Sequence, residues 1–136
     1  MAEACGTGIQ SLRVGTNDVD RARAWYDATF GAIGIGPSAV PPGRPLALYA
    51  MPGGLRFLVG PAADGEPATF ANGGTILLAA ADEAAVDAWH AAGLAHGGTC
   101  EGPPGPRAQI GGRYGAYLRD PDGNKLGCYV GNLFGA

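Results

Sequence analysis

Hydrophobic and polar positions along this chain follow one sequence of patterns, and then follow it again. The runs IQSLRVGT (9–16) and TILLAAA (75–81) are short, apolar-rich and suited to strands. After each, the spacing becomes helical: Val19, Ala22, Tyr26 and Phe30 recur on one face, as do Val86, Trp89, His90, Gly93 and Leu94. Asp18 and Asp82 precede these runs as N-caps, each able to accept from the free N–H groups of a first turn. Gly31 and the Gly97-Gly98 pair are the expected helix stops.

Each helix leads into strand-like pieces that close on a hairpin. In the first half these are Ile33–Ser38, LALYAM (46–51) and LRFLVG (55–60), with PGG as the turn. In the second they are Thr99–Glu101, YGAYLR (114–119) and KLGCYVG (125–131). Placing Asp18 over Asp82 aligns Ala24-Trp25-Tyr26 with Ala88-Trp89-His90 without a gap. The reading is therefore βαβββ twice, in an α+β fold: unit one 8–60, linker 61–73, unit two 74–131, making one domain over 8–131. The stretch EGPPGPRAQIGGR (101–113) has neither period and reads as a connector or a lid. In the last hairpin DPDGN is a strong turn, after which Leu126, Cys128 and Val130 share one face and Lys125, Gly127 and Tyr129 the other. A glycine in mid-strand, at Gly127, packs nothing of its own and needs a reason.

Composition narrows the function. Apolar residues make up 46% of the 136, charged residues 15%, and the net charge is −3, which fits a packed domain and not a nucleic-acid-binding surface. No apolar run is long enough for a membrane span, and the start MAEACGTGIQ lacks the features of a secretory signal. Cys5, Cys100 and Cys128 are odd in number and scattered, the pattern of reduced thiols in the cytoplasm. His90 reads as a packing residue and His96 as a partner of the helix dipole. There is no phosphate-binding glycine loop and no serine elbow.

The segments VGTNDVDRARAWYDATFGAIG, AAVDAWHAAGLAHGGTCEGPPG and YGAYLRDPDGNKL resemble the vicinal oxygen chelate superfamily. That group includes glyoxalase I, extradiol dioxygenases, fosfomycin-resistance proteins and bleomycin-resistance proteins; the likeness is to a lactoylglutathione lyase-like bacterial branch. The resemblance implies a cup-shaped mixed sheet, a half-barrel with helices outside, and metal ligands on the first and last strand of each unit. Carried over by position, those ligands fall on Ser11, Arg56, Thr75 and Gly127. A divalent ion needs carboxylate, imidazole or thiolate donors, so the expectation is no metal and no cofactor.

By strand alternation the cup wall carries Ser11, Arg13, Arg56, Leu58, Thr75, Leu77, Tyr117, Arg119, Gly127 and Tyr129. Of these Leu58 and Arg119 only line the wall, and Tyr114 joins the other eight as a candidate ligand-binding residue. Aromatic rings and guanidinium groups suit a planar or anionic small molecule. The expected protein is a metal-free small-molecule binder, a homodimer in the cytoplasm, sequestering a toxic or antibiotic compound. Two alternatives stand beside it: a metal-dependent lyase or isomerase of the glyoxalase type, and a cofactorless enzyme using Tyr114 or Tyr117 as an acid.

Overall fold

Asp18 and Asp82 start the two helices in the same way. The Asp18 carboxylate accepts from the Arg21 N–H at 3.0 Å and the Asp82 carboxylate from the Ala85 N–H at 2.8 Å. The computed structural model describes residues 6–135, and Cys5 lies outside them. In chain order the elements are β1 (Ser11–Gly15), α1 (Val19–Ala32), β2 (Ala47–Ala50), β3 (Arg56–Gly60), β4 (Ile76–Ala80), α2 (Glu83–Ala95), β5 (Thr99–Arg107), a short 3-10 turn (Ala108–Ile110), β6 (Arg113–Arg119) and β7 (Lys125–Val130).

The helices also end alike. Gly34 (φ +91°) and Gly97 (φ +99°) take the left-handed conformation. The following N–H then reaches back, Ile35 to the Phe30 carbonyl at 2.9 Å and Gly98 to the Gly93 carbonyl at 2.8 Å. Gly31, expected as the first stop, lies inside the last turn of α1, and Gly34 performs that task. The two hairpin turns are equal in length and bonding. The Met51 N–H donates to the Leu55 carbonyl and the Asp120 N–H to the Asn124 carbonyl, both at 2.9 Å, and Gly54 and Gly123 supply the positive φ.

Two mixed sheets result, ordered β1-β3-β2 and β4-β7-β6-β5. In each, the first strand of the unit runs parallel to the last, and the last pairs antiparallel with the one before it. The helices pack against each other and against the strands of their own sheets. Between them lies a core of Trp25, Tyr26, Phe30, Tyr49, Phe57 and Trp89, with Leu118, Leu126 and Cys128 from the second sheet. Trp25 donates to the Gly93 carbonyl at 3.0 Å and the Tyr26 hydroxyl to Asp120 at 2.6 Å, so buried polar groups tie one unit to the other.

Three details differ from the sequence expectation. The sheets are two, with no ladder joining β1 to β4 among the described residues. Ile33–Ser38 forms no strand. Instead the Ser38 hydroxyl accepts from the Leu48 N–H at 3.1 Å and the Ala39 N–H donates to the Leu48 carbonyl, so a side chain takes over part of a fourth strand's bonding. Conversely, β5 runs through the Gly/Pro-rich stretch as far as Arg107. It is an edge strand, where a proline's missing N–H leaves no partner wanting.

Candidate functional site

Strand alternation gives each sheet one face toward its helix and one away from it. On the first sheet the outward face carries Ser11 and Arg13 on β1, and Arg56 and Leu58 on β3, with Ser11 opposite Arg56 and Arg13 opposite Leu58. On the second it carries Leu77 on β4, Lys125, Gly127 and Tyr129 on β7, and Tyr117 and Arg119 on β6. Thr75 stands just before β4 and is exposed. Tyr114 points the other way: its hydroxyl donates to Asp87 of α2 at 2.6 Å, which removes it from the face that holds Tyr117.

Register also corrects one correspondence. Leu77 pairs with Gly127, and Arg13, its counterpart by distance from the N-cap, pairs with Leu58. The position matching Gly127 is therefore Leu58, and Arg56 matches Lys125. The equal turns MPGGL and DPDGN carry this signal in the sequence, since Arg56 and Lys125 each follow directly.

The second sheet holds a reciprocal pair of contacts. Gly127 lies across from Tyr117 and Gly115 across from Tyr129. A Cβ at Gly127 would come within 2.6 Å of the Tyr117 ring, and one at Gly115 within 2.3 Å of the Tyr129 ring. Each glycine is thus the seat of a tyrosine on the neighbouring strand. The rings meet edge to face with centroids 5.7 Å apart, and the Tyr129 hydroxyl donates to the Tyr117 hydroxyl at 2.8 Å. Burial first, and the bond to Tyr117 second, push the Tyr129 phenol up to about 12; the bond to Asp87 pushes Tyr114 up to about 12 as well.

Cations surround this pair. The Lys125 ammonium lies 5.2 Å from the Tyr117 ring centre and the Arg107 guanidinium 5.9 Å. Arg119 bonds Glu101 at 3.0 Å and stacks over Phe70 of the linker at 5.2 Å. On the first sheet Arg13 donates to the Pro61 carbonyl and Arg56 to the Gly54 carbonyl, each at 2.9 Å. The strands hold six of the chain's nine Lys and Arg residues and a single carboxylate, Glu101. Arg107 escaped the sequence reading because its stretch looked like a loop. Lys125 was within reach, two residues before Gly127 on the same face.

The positions that the resemblance implies for metal ligands, with Leu58 in place of Arg56 by register, hold Ser11, Leu58, Thr75 and Gly127, and these do not fit a divalent ion. Gly127 and Leu58 offer no donor, and neither Ser11 nor Thr75 is a carboxylate, imidazole or thiolate. Among the described residues no three His, Cys, Asp or Glu side chains converge to form a metal site. Two open spaces lie at the seam between the sheets. One cavity of about 150 Å³ is bordered by Arg13, Val14, Ile76, Asn124 and Lys125. A larger apolar groove of about 360 Å³ runs past Leu12, Phe57, Ile76 and Leu77. Of the nine candidate residues from the sequence, Arg13 borders the first space and Leu77 the second.

A family model for the glyoxalase/bleomycin resistance protein/dioxygenase superfamily matches residues 8–127. A glyoxalase/bleomycin resistance protein from Albidiferax ferrireducens T118 is 41% identical over 91% of this chain and 98% of its own, with a TM-score of 0.80. A lactoylglutathione lyase from Agrobacterium tumefaciens is 26% identical over 96% and 98%, with a TM-score of 0.62. A glyoxalase-related enzyme from Fulvimarina pelagi shares the fold at 17% identity, with a TM-score of 0.73 over 91% and 88%. No curated protein matches the chain.

Proposed function

Since this chain belongs to the glyoxalase/bleomycin resistance protein/dioxygenase superfamily, we propose that it is a metal-free binder of a small anionic, aromatic molecule, sequestering a toxic or antibiotic compound. The charge of its strands carries this reading. The strands carry six cations and one carboxylate in a protein whose net charge is −3, and with Tyr117 and Tyr129 on the outward side these faces favour a planar anion and repel a metal cation. Arg107 and Lys125, flanking the Tyr117 ring, are the groups that meet the anionic end of such a ligand, and the Tyr117 ring, backed by the buried Tyr129, meets its plane. Ser11, Arg13, Arg56, Thr75 and Leu77 complete the proposed wall, with Gly127 as the seat beneath the Tyr117 ring and the Arg56 guanidinium turned onto its own hairpin.

The cytoplasm suits the free thiols of Cys100 and Cys128. A homodimer suits β4, an apolar edge strand beside the exposed Leu77 and Phe134, where a second copy would close the open side of the faces. For Tyr114, one of the two tyrosines of the tyrosine-acid reading, the bond to Asp87 pushes the phenol up to about 12, away from the range useful at neutral pH.

The test is a thermal-shift screen of aromatic carboxylates and phosphates, each beside its neutral amide or ester, together with Ni²⁺, Zn²⁺, Mn²⁺ and Fe²⁺. The anions should raise the Tm and their neutral forms should not, since a ligand specific to the folded state stabilises it. One tight equivalent of metal held by residues of these faces would instead establish the glyoxalase-type lyase reading.

A further inference from the structure

On the far side of the second sheet, away from Tyr117, Cys100 of the edge strand β5 meets His90 of α2. Its Sγ lies 3.2 Å from Nε2 of the imidazole. With the ring proton on Nδ1, Nε2 is free to accept from the thiol. His90 is buried in the packing of α2 while Cys100 is exposed, so the base is shielded from water and the sulfur is reachable. Burial lowers the pKa of His90 below 6.5, leaving a neutral acceptor at pH 7.

One neighbour offsets part of the cost that burial sets on the imidazolium. Asp87 lies one turn earlier on α2, attracts a charged His90, and is itself held by the Tyr114 hydroxyl of β6 at 2.6 Å. The negative neighbour in the chain, Glu101, is turned to the opposite face, where it pairs with Arg119 at 3.0 Å. Cys128 serves as an internal contrast: it is completely buried, and burial pushes its thiol up to about 12.

We propose that Cys100 is a nucleophilic thiol with His90 as its base, forming a covalent attachment site for uncharged α,β-unsaturated carbonyl compounds. The thiol proton passes to His90 Nε2 and the sulfur bonds to the β-carbon. The π pair of the C=C bond moves to the enolate, which takes the proton back from His90. A thioether results, with no other reactant. This site is separate from the proposed anion-binding face and stands without it.

Acrylamide, small and neutral, is the probe. Full-length protein is treated at pH 7, and the adduct is followed by intact mass and located by peptide mapping. Cys100 should react at least tenfold faster than N-acetylcysteine amide, with Cys128 unmodified while the protein is folded. His90→Phe should slow Cys100 to the rate of the free thiol. An unchanged rate in folded His90→Phe overturns the proposal. Should that variant not fold, the wild-type pH–rate profile decides: a curve superimposing on that of N-acetylcysteine amide overturns it equally, and a raised rate below pH 8 supports it.

Discussion

Gly127 looks at first like a vacancy left for a ligand, and its neighbours show otherwise. The room over its backbone holds the Tyr117 ring and the Leu77 side chain, as the room over Gly115 holds Tyr129. In each Gly–Tyr pair a missing Cβ lets a ring lie flat on the sheet. Gly127→Ala should cost about 1 kcal/mol, because Tyr117 is half-buried and can swing away. Gly115→Ala should cost about 3 kcal/mol, because Tyr129 is only 2% exposed and has nowhere to go. Urea denaturation of the two variants orders them, and the opposite order would refute the account. His90 gives a pH prediction. Its folded-state pKa is depressed by burial, so the unfolded chain takes up the proton first. Its contribution to stability is therefore whole above about pH 6.5 and is lost as pH falls through the lower folded value. Urea midpoints from pH 8 to 5 should decline below that point in the wild type and decline less in His90→Gln.

At the scale of elements, the turn between β6 and β7 docks one unit onto the other. The side chain of Asp122, 2% exposed, sits at the N-terminal end of α1. It accepts from the Thr16 hydroxyl at 2.5 Å, the Asn17 N–H at 3.0 Å and Arg21 at 2.9 Å. An anion at this end of a helix is favoured by the unpaired N–H groups and by the helix dipole. Asp122→Ala should lower stability by about 1–2 kcal/mol, since it removes the acceptor of the Asn17 N–H and the shorter of two acceptors of the Thr16 hydroxyl, which keeps the Asp18 carbonyl at 3.1 Å, while the half-exposed Arg21 adds little. A loss under about 0.5 kcal/mol in urea would show the contact to be incidental. The DPDGN motif thus has a second task that its turn chemistry does not reveal. Sequence pattern placed both helices, both caps and both hairpins, because these depend on neighbours a few residues apart. It failed at β5, because proline counts against a strand unless the strand's place at a sheet edge is known. It failed at Ile33–Ser38, because a serine side chain replaced a backbone partner.

For the whole molecule, what matters is where the charge lies. Among the described residues the acidic side chains lie on the helices and their caps, the turns and the linker, and the strands keep six cations with one carboxylate, Glu101. If Arg107 and Lys125 hold the ligand's anionic end, replacing either with Met should weaken an aromatic carboxylate found by the thermal-shift screen by about 1.5–3 kcal/mol, the range for a hydrogen bond to a charged group. Calorimetry measures this directly, and unchanged affinity in both variants would remove them from the site. Neither change touches the core, so folding should be kept.

The sequence alone determined the repeat, the α+β class and the family, because hydrophobic period, capping residues and turn residues act locally and recur at a fixed offset. Tertiary structure decided the rest. Register, set by pairing between distant strands, moved the counterpart of Gly127 from Arg56 to Leu58. Packing across strands filled the space over Gly127. The rotation of single side chains turned Arg56 onto the Gly54 carbonyl and Tyr114 onto Asp87, and brought Cys100 to His90. A side chain's direction and company depend on atoms far along the chain, and no local pattern encodes them.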